Sequence, residues 1–315
     1  MRLLTYHLGI PEIIAKKRTE DTQKLRNAHY LQHGYRSPIL MRHRRIRAQV
    51  YSVAGRRTIQ PGRDLRLNMS EMIHHSVKHE SAVPGGKRLV LEIRSNGDRI
   101  PAILLLPHAS GPVPVALLLH GLSLDKERMA EMAGPALLRR GIACLAPDLP
   151  HHGERSRGKD PAESGNPFEM MARWRAALDD SGLLLRFLAQ QPDIDPGRIS
   201  LLGYSLGAFI GLKVAATNRQ IRSIVLASGG DLPEYTPFIS IVRTVADPIK
   251  LVRNLKGRPL LMVHGKHDRA VTPAQAERLF HAAQEPKKML WWECGHVLPP
   301  QAMDAAAAWL AIQGS

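Results

Sequence analysis

Ser205 stands in a sequence pattern that suits a nucleophilic serine. The pentapeptide G-Y-S-L-G at residues 203–207 follows an apolar run at residues 199–202 and precedes another at residues 208–212. This order predicts a strand, a sharp turn and a helix. Such a turn leaves no room for side chains at its flanking positions, which explains the two glycines, and it projects the serine hydroxyl above the sheet. The N–H of Leu206 then lies at a helix start, where it favours a developing oxyanion.

Asp268 and His296 are the candidate partners of this serine. A serine hydroxyl is a weak nucleophile at neutral pH unless a base accepts its proton, so we expect a histidine and an orienting carboxylate downstream. Asp268 ends a turn after the apolar run at residues 260–264, and His296 follows the run at residues 288–292. The order Ser, Asp, His, each just beyond a predicted strand, predicts a triad. Asp231, which follows another predicted strand, is the alternative acid.

The elements that position these residues follow from the hydrophobic pattern. From residue 88 onward, short runs rich in Val, Ile and Leu alternate with longer helical patterns, which predicts an α/β fold with a mostly parallel central sheet flanked by helices. The predicted strands are 88–94, 100–106, 113–120, 143–147, 199–203, 221–227, 260–264 and 288–292. The predicted helices are 126–140, 167–190, 206–216, 273–283 and 300–312. The first two strands should form a hairpin, because the Asn-Gly pair at 96–97 supplies the positive φ values of a tight turn.

Two stretches interrupt this alternation. Residues 149–170 are polar and rich in turn-forming residues, and residues 231–256 separate two strands by more than one helix would require. We expect both to cover the mouth of the site, because long connections in a compact domain usually serve function. The second would form a short cap or lid.

The chain from residue 87 to its end resembles an α/β-hydrolase-fold serine hydrolase, nearest to the dienelactone-hydrolase-like and bacterial carboxylesterase branches. The resemblance rests on the G-Y-S-L-G turn, on the chain order of Ser205, Asp268 and His296, and on residues 148–156. That segment reads D-L-P-H-H-G-E-R-S, like the family's D-x-x-x-H-G-x-x-S loop. The resemblance implies a hydrolase that needs no cofactor.

An oxyanion hole is also implied by this resemblance. The pair His120-Gly121 would open the oxyanion loop, and the backbone amide of Leu122 or Ser123 would be the second donor beside that of Leu206. The sequence does not choose between Leu122 and Ser123.

Departures from the family patterns narrow the chemistry. Dienelactone hydrolases proper use a cysteine nucleophile, and haloalkane dehalogenases and epoxide hydrolases use an aspartate, whereas this chain has Ser205. The oxyanion loop reads H-G-L-S rather than the H-G-G-G of hormone-sensitive-type lipases, which favours a modest ester or thioester. We expect His152 and Arg155 to be structural or to line the pocket.

The formal net charge of +16 is unevenly distributed. Of 44 Lys+Arg and 28 Asp+Glu, residues 1–68 hold 15 and 4, so this segment carries +11 and residues 69–315 carry +5. We therefore expect a basic N-terminal extension, 1–68, and a catalytic domain, 69–315. The extension is interpreted as a poorly ordered tail or as sequence upstream of a later start at Met69 or Met72. A tether to nucleic acid or an anionic surface, and a transit peptide, are the alternatives.

Composition excludes several other classes. Two cysteines, Cys144 and Cys294, cannot make a disulfide framework, and His74, His75 and His79 lack the companions of a metal site. The apolar runs are far shorter than the roughly 18 residues of a membrane span. We expect a soluble, cytoplasmic protein whose partner is a small ester rather than a nucleic acid, and the oligomeric state is left open.

Together these features predict a serine hydrolase that cleaves carboxylic esters with short or medium acyl groups through an acyl-enzyme intermediate. A thioesterase or a serine peptidase would use the same triad. A non-catalytic binding protein on a hydrolase scaffold is the alternative from a different class.

Overall fold

The computed structural model of the chain describes residues 73–95, 98–156, 158, 167–233, 243 and 246–313. The interpretations of residues 1–68 therefore lie outside the described residues. The same is true of the Asn-Gly turn at 96–97 and of parts of the two stretches expected to cover the site.

Within the described residues, nine strands form one sheet, six α-helices with described bounds flank it, and a short 3₁₀ helix spans Gly153–Arg155. The strands are β1 (His75–Val83), β2 (Gly86–Ser95), β3 (Asp98–Pro107), β4 (Val113–Leu119), β5 (Ala143–Pro147), β6 (Ile194–Tyr204), β7 (Ile221–Ala227), β8 (Leu260–Gly265) and β9 (Lys287–Trp292). The helices are α1 (Lys126–Leu138), α2 (Pro167–Ala189), α3 (Leu206–Thr217), α4 (Pro248–Arg253), α5 (Pro273–Ala282) and α6 (Pro300–Gln313). None of these helices is both long enough and apolar enough to cross a membrane.

The sheet is mostly parallel. Its strand order is β1-β2-β3-β5-β4-β6-β7-β8-β9, with antiparallel pairing from β1 to β5 and parallel pairing from β5 to β9. The expected hairpin is present as β2 and β3, in which Ser95 lies opposite Asp98. Because parallel strands end at the same edge of a sheet, the residues that follow β4, β6, β8 and β9 meet at one edge.

Helices cover both faces of the sheet, as the nearly continuous apolar sequence of its central strands requires. Successive strand residues point to opposite faces. Leu117 and Leu201 pack in one core with side chains of α2, α3, α4 and α5, and Leu118 and Leu202 pack in the other with side chains of α1 and α6. The two cores fix the strand ends that carry the candidate site.

The predicted strands and helices are confirmed, with ends that shift by a few residues, but one strand and one α-helix were missed, as was the short 3₁₀ helix. Strand β1 lies at the edge of the sheet and its side chains are mostly exposed, so its sequence lacks the apolar alternation of a half-buried strand. His74, directly before β1, and His75 and His79, within it, are exposed. Helix α4 has six residues, too few to produce a helical period.

Candidate active site

Ser205 occupies a strained turn between β6 and α3. Its φ of 51° and ψ of −112° lie in a region that residues other than glycine rarely adopt. A Cβ at Gly203 would overlap the Gly207 carbonyl and lie 2.7 Å from Ala208 Cα. A Cβ at Gly207 would overlap the carbonyl of Leu119 at the end of β4. The expectation that both flanking positions have no room for a side chain is confirmed.

The structure brings Ser205, Asp268 and His296 together, although they are far apart in sequence. His296 Nε2 lies 2.8 Å from Ser205 Oγ, and His296 Nδ1 lies 2.8 Å from Asp268 Oδ2. In the tautomer that satisfies both contacts, Nδ1–H donates to the carboxylate and Nε2 accepts the serine hydroxyl. This is the geometry in which a carboxylate orients an imidazole and the imidazole receives the proton of a nucleophile.

The Asp268 carboxylate is held by backbone N–H groups in addition to its contact with His296. Its side chain is buried, and its Oδ1 accepts the backbone N–H groups of Ala270 at 2.8 Å and Val271 at 3.0 Å. These two donors leave Oδ2 directed at the imidazole. A carboxylate that is buried and held by backbone amides keeps one orientation, which is what an orienting group requires.

His264 is a neighbour of this carboxylate that sequence reasoning missed. It lies in β8 and is fully buried, with Nε2 at 2.8 Å from Val271 O and 3.5 Å from Asp268 Oδ2. Burial lowers the pKa of His264, and the nearby His296 adds to this, so the ring is neutral and Nε2–H donates to the carbonyl. His264 therefore packs behind the acid without adding a competing positive charge. Its position four residues before Asp268 was the available signal.

The expected oxyanion loop lies against Ser205. A Cβ at Gly121 would lie 3.5 Å from Ser205 Cβ, and the N–H of Leu124 donates to Gly121 O at 3.1 Å to close a turn. Leu122 and Ser123 are the central residues of that turn. Leu206 is the first residue of α3, so its N–H has no acceptor within the helix. Leu206 directly follows Ser205, and the turn that holds Leu122 and Ser123 begins at Gly121, which lies against Ser205.

His120 anchors this loop. Its Nδ1–H donates to Gly121 O at 2.8 Å and its Nε2 accepts the N–H of Leu149 at 3.0 Å, so the ring joins the oxyanion loop to the segment after β5. These roles require a neutral ring. Burial lowers the pKa of His120 to about 4, with a smaller contribution from His152, and keeps the ring neutral at physiological pH.

The segment after β5 is held by buried charges. Asp148 is fully buried and accepts the backbone N–H and the ammonium of Lys126, at 2.9 and 3.0 Å. Arg155 binds Asp180 at 2.7 Å and Asp98 at 2.8 Å. His152 is buried against His120, with ring centroids 4.9 Å apart. His152 and Arg155 therefore have structural contacts, as the sequence predicts.

A cavity of about 540 Å³ opens beside this segment. Its lining mixes cationic and acidic side chains, among them Arg99, Arg155, Glu92 and Glu154, and does not include Ser205, Asp268 or His296. We locate the candidate site at the hydrogen-bonded residues Asp268, His296 and Ser205 rather than at this cavity. These three residues combine a candidate nucleophile with a candidate base, and the residues that line the cavity do not.

The carboxylate of Asp231, the alternative acid, contacts two arginines. It is buried, and its Oδ2 lies 3.1 Å from an Arg243 guanidinium nitrogen and 3.3 Å from Arg278 Nε. The carboxylate that contacts the imidazole of His296 is that of Asp268. Within the part of the chain that the structure describes, no group of three or more His, Cys, Asp and Glu side chains could hold a metal ion.

Comparisons with known proteins agree with this fold. Residues 116–309 match the model of the Alpha/beta hydrolase family. The chain is 28% identical over 215 residues to an uncharacterised protein of Mycobacterium tuberculosis, covering 66% of this chain and 71% of that protein. It is 27% identical over 223 residues to Esterase YjfP of Escherichia coli, covering 62% of this chain and 87% of that protein.

The fold also resembles that of a solved structure described as a novel cold-adapted esterase from an Arctic intertidal metagenomic library. The TM-score is 0.62 at 21% identity, over 76% of this chain and all of the other. Because the family match spans more than half of its residues, the chain belongs to the Alpha/beta hydrolase family and has esterases among its relatives.

Proposed function

We propose that the protein is a serine hydrolase that cleaves carboxylic esters with short or medium acyl groups through an acyl-enzyme intermediate. The observation that carries this proposal is the hydrogen-bond chain Asp268–His296–Ser205, with 2.8 Å at each link. A serine on a strained turn gains nucleophilic character only when such a base is in contact with its hydroxyl.

In the first half of the reaction, Ser205 Oγ attacks the ester carbonyl while His296 Nε2 takes the hydroxyl proton. The carbonyl oxygen becomes negatively charged and accepts hydrogen bonds from the N–H of Leu206 and from that of Leu122 or Ser123. His296 then returns the proton to the departing alcohol oxygen, and the C–O bond breaks to leave the acyl group on Ser205. Asp268 stabilises the imidazolium throughout.

In the second half, water takes the place of the alcohol. His296 accepts a proton from water as the water oxygen attacks the acyl carbonyl, and it then protonates Ser205 Oγ as the acid leaves. Water is the only other reactant, so this scheme requires no cofactor.

Two exposed apolar side chains adjoin the reacting groups and support an apolar acyl substituent. Leu122 in the oxyanion loop is 42% exposed, and Val297, directly after His296, is 80% exposed. A hydrocarbon chain that covered them would remove apolar surface from water, at about 25 cal/mol per Å². A thioesterase or peptidase would use the same triad, and the relative named an esterase favours an oxygen ester.

A substrate panel with the Ser205→Ala variant tests the proposal. The full chain should hydrolyse p-nitrophenyl acetate and butyrate faster than a thioester or an aminoacyl amide, and should be labelled by a fluorophosphonate. Ser205→Ala should abolish both hydrolysis and labelling while it retains the circular dichroism spectrum of the parent protein. Full activity in that variant would refute the assignment.

A further inference from the structure

The backbone of His296 is held by two hydroxyl groups. Its carbonyl oxygen accepts a hydrogen bond from Tyr204 Oη at 2.6 Å and another from Ser228 Oγ at 3.0 Å. The Tyr204 hydroxyl also accepts the N–H of Leu298 at 3.3 Å. We call Tyr204 and Ser228 the hydroxyl clamp, because together they fix the loop on both sides of Val297.

Both hydroxyls come from the same strand ends that carry the nucleophile. Tyr204 is the last residue of β6 and directly precedes Ser205, and Ser228 directly follows β7. These strands are paired, with Tyr204 opposite Ala227, whose carbonyl also accepts the N–H of Ser205. The clamp therefore links the backbone of His296 to the ends of β6 and β7, which position Ser205.

The loop that carries His296 has few other anchors. It joins β9 to α6 without regular secondary structure. Upstream, Cys294 O accepts the N–H of His267, and downstream Pro299 O accepts the N–H of Ala302. Among the described residues, the hydrogen bonds made by the backbone of residues 295–298 all go to the clamp. Their loss would leave the backbone of residues 295–298 without these hydrogen bonds to the ends of β6 and β7.

Burial makes these contacts hard to replace by water. Tyr204 is 5% exposed and Ser228 is fully buried. Burial is also the main cause that raises the pKa of Tyr204, so the phenol keeps the proton that it donates. Ser228 has a φ of 49°, a left-handed conformation that is costly for a residue with a side chain. Strain at a position whose hydroxyl contacts the His296 carbonyl points to a role in the site.

We infer that Tyr204 and Ser228 are positioning residues that keep His296 Nε2 at hydrogen-bond distance from Ser205 Oγ. The inference rests on the proposed function, since it concerns the base of that reaction. Neither residue touches the substrate in this scheme, so loss of a hydroxyl should lower kcat and leave KM nearly unchanged. A misplacement of about 1 Å at a reacting group can cost about 10²-fold in rate.

The test uses Tyr204→Phe, Ser228→Ala and the double variant of the full chain. Alanine retains the Cβ of Ser228 at its positive φ, and phenylalanine retains the ring of Tyr204. We expect each single substitution to lower kcat for p-nitrophenyl butyrate by about 10-fold, and the double by about 10²-fold, with KM within about 2-fold of the parent. The rate of fluorophosphonate labelling, which depends on the reactivity of Ser205, should fall in parallel.

The matched control is Ser181→Ala. Ser181 is a buried serine in α2 whose hydroxyl donates to Ala177 O at 2.7 Å, away from the site. It should cost stability of the same order as Ser228→Ala and leave kcat and the labelling rate unchanged. A general loss of packing would affect both serine variants alike, whereas a positioning role separates them.

The outcomes for the inference and for the proposed function are distinct. If Ser205→Ala is inactive but the clamp variants keep the parent kcat and labelling rate, the positioning role is wrong and the proposed function stands. If Ser205→Ala is fully active, the proposed function itself fails. If thermal melting shows that Tyr204→Phe does not fold, Ser228→Ala against Ser181→Ala decides the question.

Discussion

Gly265 and Gly295 place the turn that carries Asp268 directly against the loop that carries His296. A Cβ at Gly265 would overlap the carbonyl of Gly295 and lie 2.6 Å from the carbonyl oxygen of Cys294. The N–H of His267 donates to that same Cys294 oxygen at 2.9 Å. The close approach of the two backbones is therefore a condition for the 2.8 Å contact between Asp268 and His296.

Gly265→Ala should separate the acid from the base. Because the overlap is with backbone, the loops must move apart, and we expect kcat to fall at least about 10-fold and the free energy of unfolding to fall by about 1–3 kcal/mol. Ester kinetics and urea denaturation measure the two effects. The control is Gly182→Ala, in the interior of α2, where a Cβ would meet nothing within 4 Å. That change should stabilise by about 0.5–1 kcal/mol and leave kcat unchanged.

Asp268→Asn and Asp231→Asn should separate the two candidate acids. An amide at position 268 cannot stabilise the imidazolium of His296 and favours the wrong tautomer, so kcat should fall by about 10³–10⁴-fold. Asp231 instead accepts contacts from Arg243 and Arg278, so its variant should lose stability and keep most of its kcat. The measurements are the kinetics of both variants on one ester and their urea denaturation. An inactive Asp231→Asn variant beside an active Asp268→Asn variant would reverse the assignment of the acid.

The sequence predicted the elements that have a strong apolar period and the residues that end them. Ser205, Asp268 and His296 each follow a strand of the parallel part of the sheet, and parallel strands bring such positions to one edge without further information. Strand β1 was not predicted because an exposed edge strand has no buried face to leave a pattern. The contacts of Tyr204 with His296 and Leu298 join residues more than 90 positions apart, and no local pattern specifies them.

Protonation of His120 should make the fold acid-sensitive. Its ordinary pKa of 6.5 is lowered to about 4 by burial in the folded protein. Between these values the unfolded chain binds a proton that the folded chain does not, so stability rises with pH from about 4 to 6.5 and then levels off. The lowered pKa of His120 corresponds to a change of roughly 3 kcal/mol in the free energy of unfolding over this pH range. Burial lowers the pKa of His264 as well, which acts in the same direction.

Urea denaturation of the parent and of His120→Asn at pH 5, 6 and 8 measures this dependence. The variant should be less stable than the parent at pH 8, because Asn cannot reach both Gly121 O and the N–H of Leu149. It should also lose less stability between pH 8 and pH 5. Equal losses in the two proteins would show that His120 is not the group responsible.

Val297→Asp should change chain-length preference more than catalysis. The Val297 side chain is 80% exposed beside His296, so the substitution breaks no packing, and a carboxylate there would oppose burial of a hydrocarbon chain. Each methylene of the acyl chain that loses an apolar contact weakens binding by up to about 0.8 kcal/mol. The kcat/KM ratio of octanoate to acetate p-nitrophenyl esters should therefore fall by about 10-fold, with acetate hydrolysis nearly unchanged. Ile312→Asp, at an exposed apolar position near the C-terminal end of α6, should leave the ratio intact because it lies at the opposite end of that helix from His296. If Val297→Asp reduced acetate and octanoate hydrolysis equally, the side chain would act through the position of His296 and not through the acyl group.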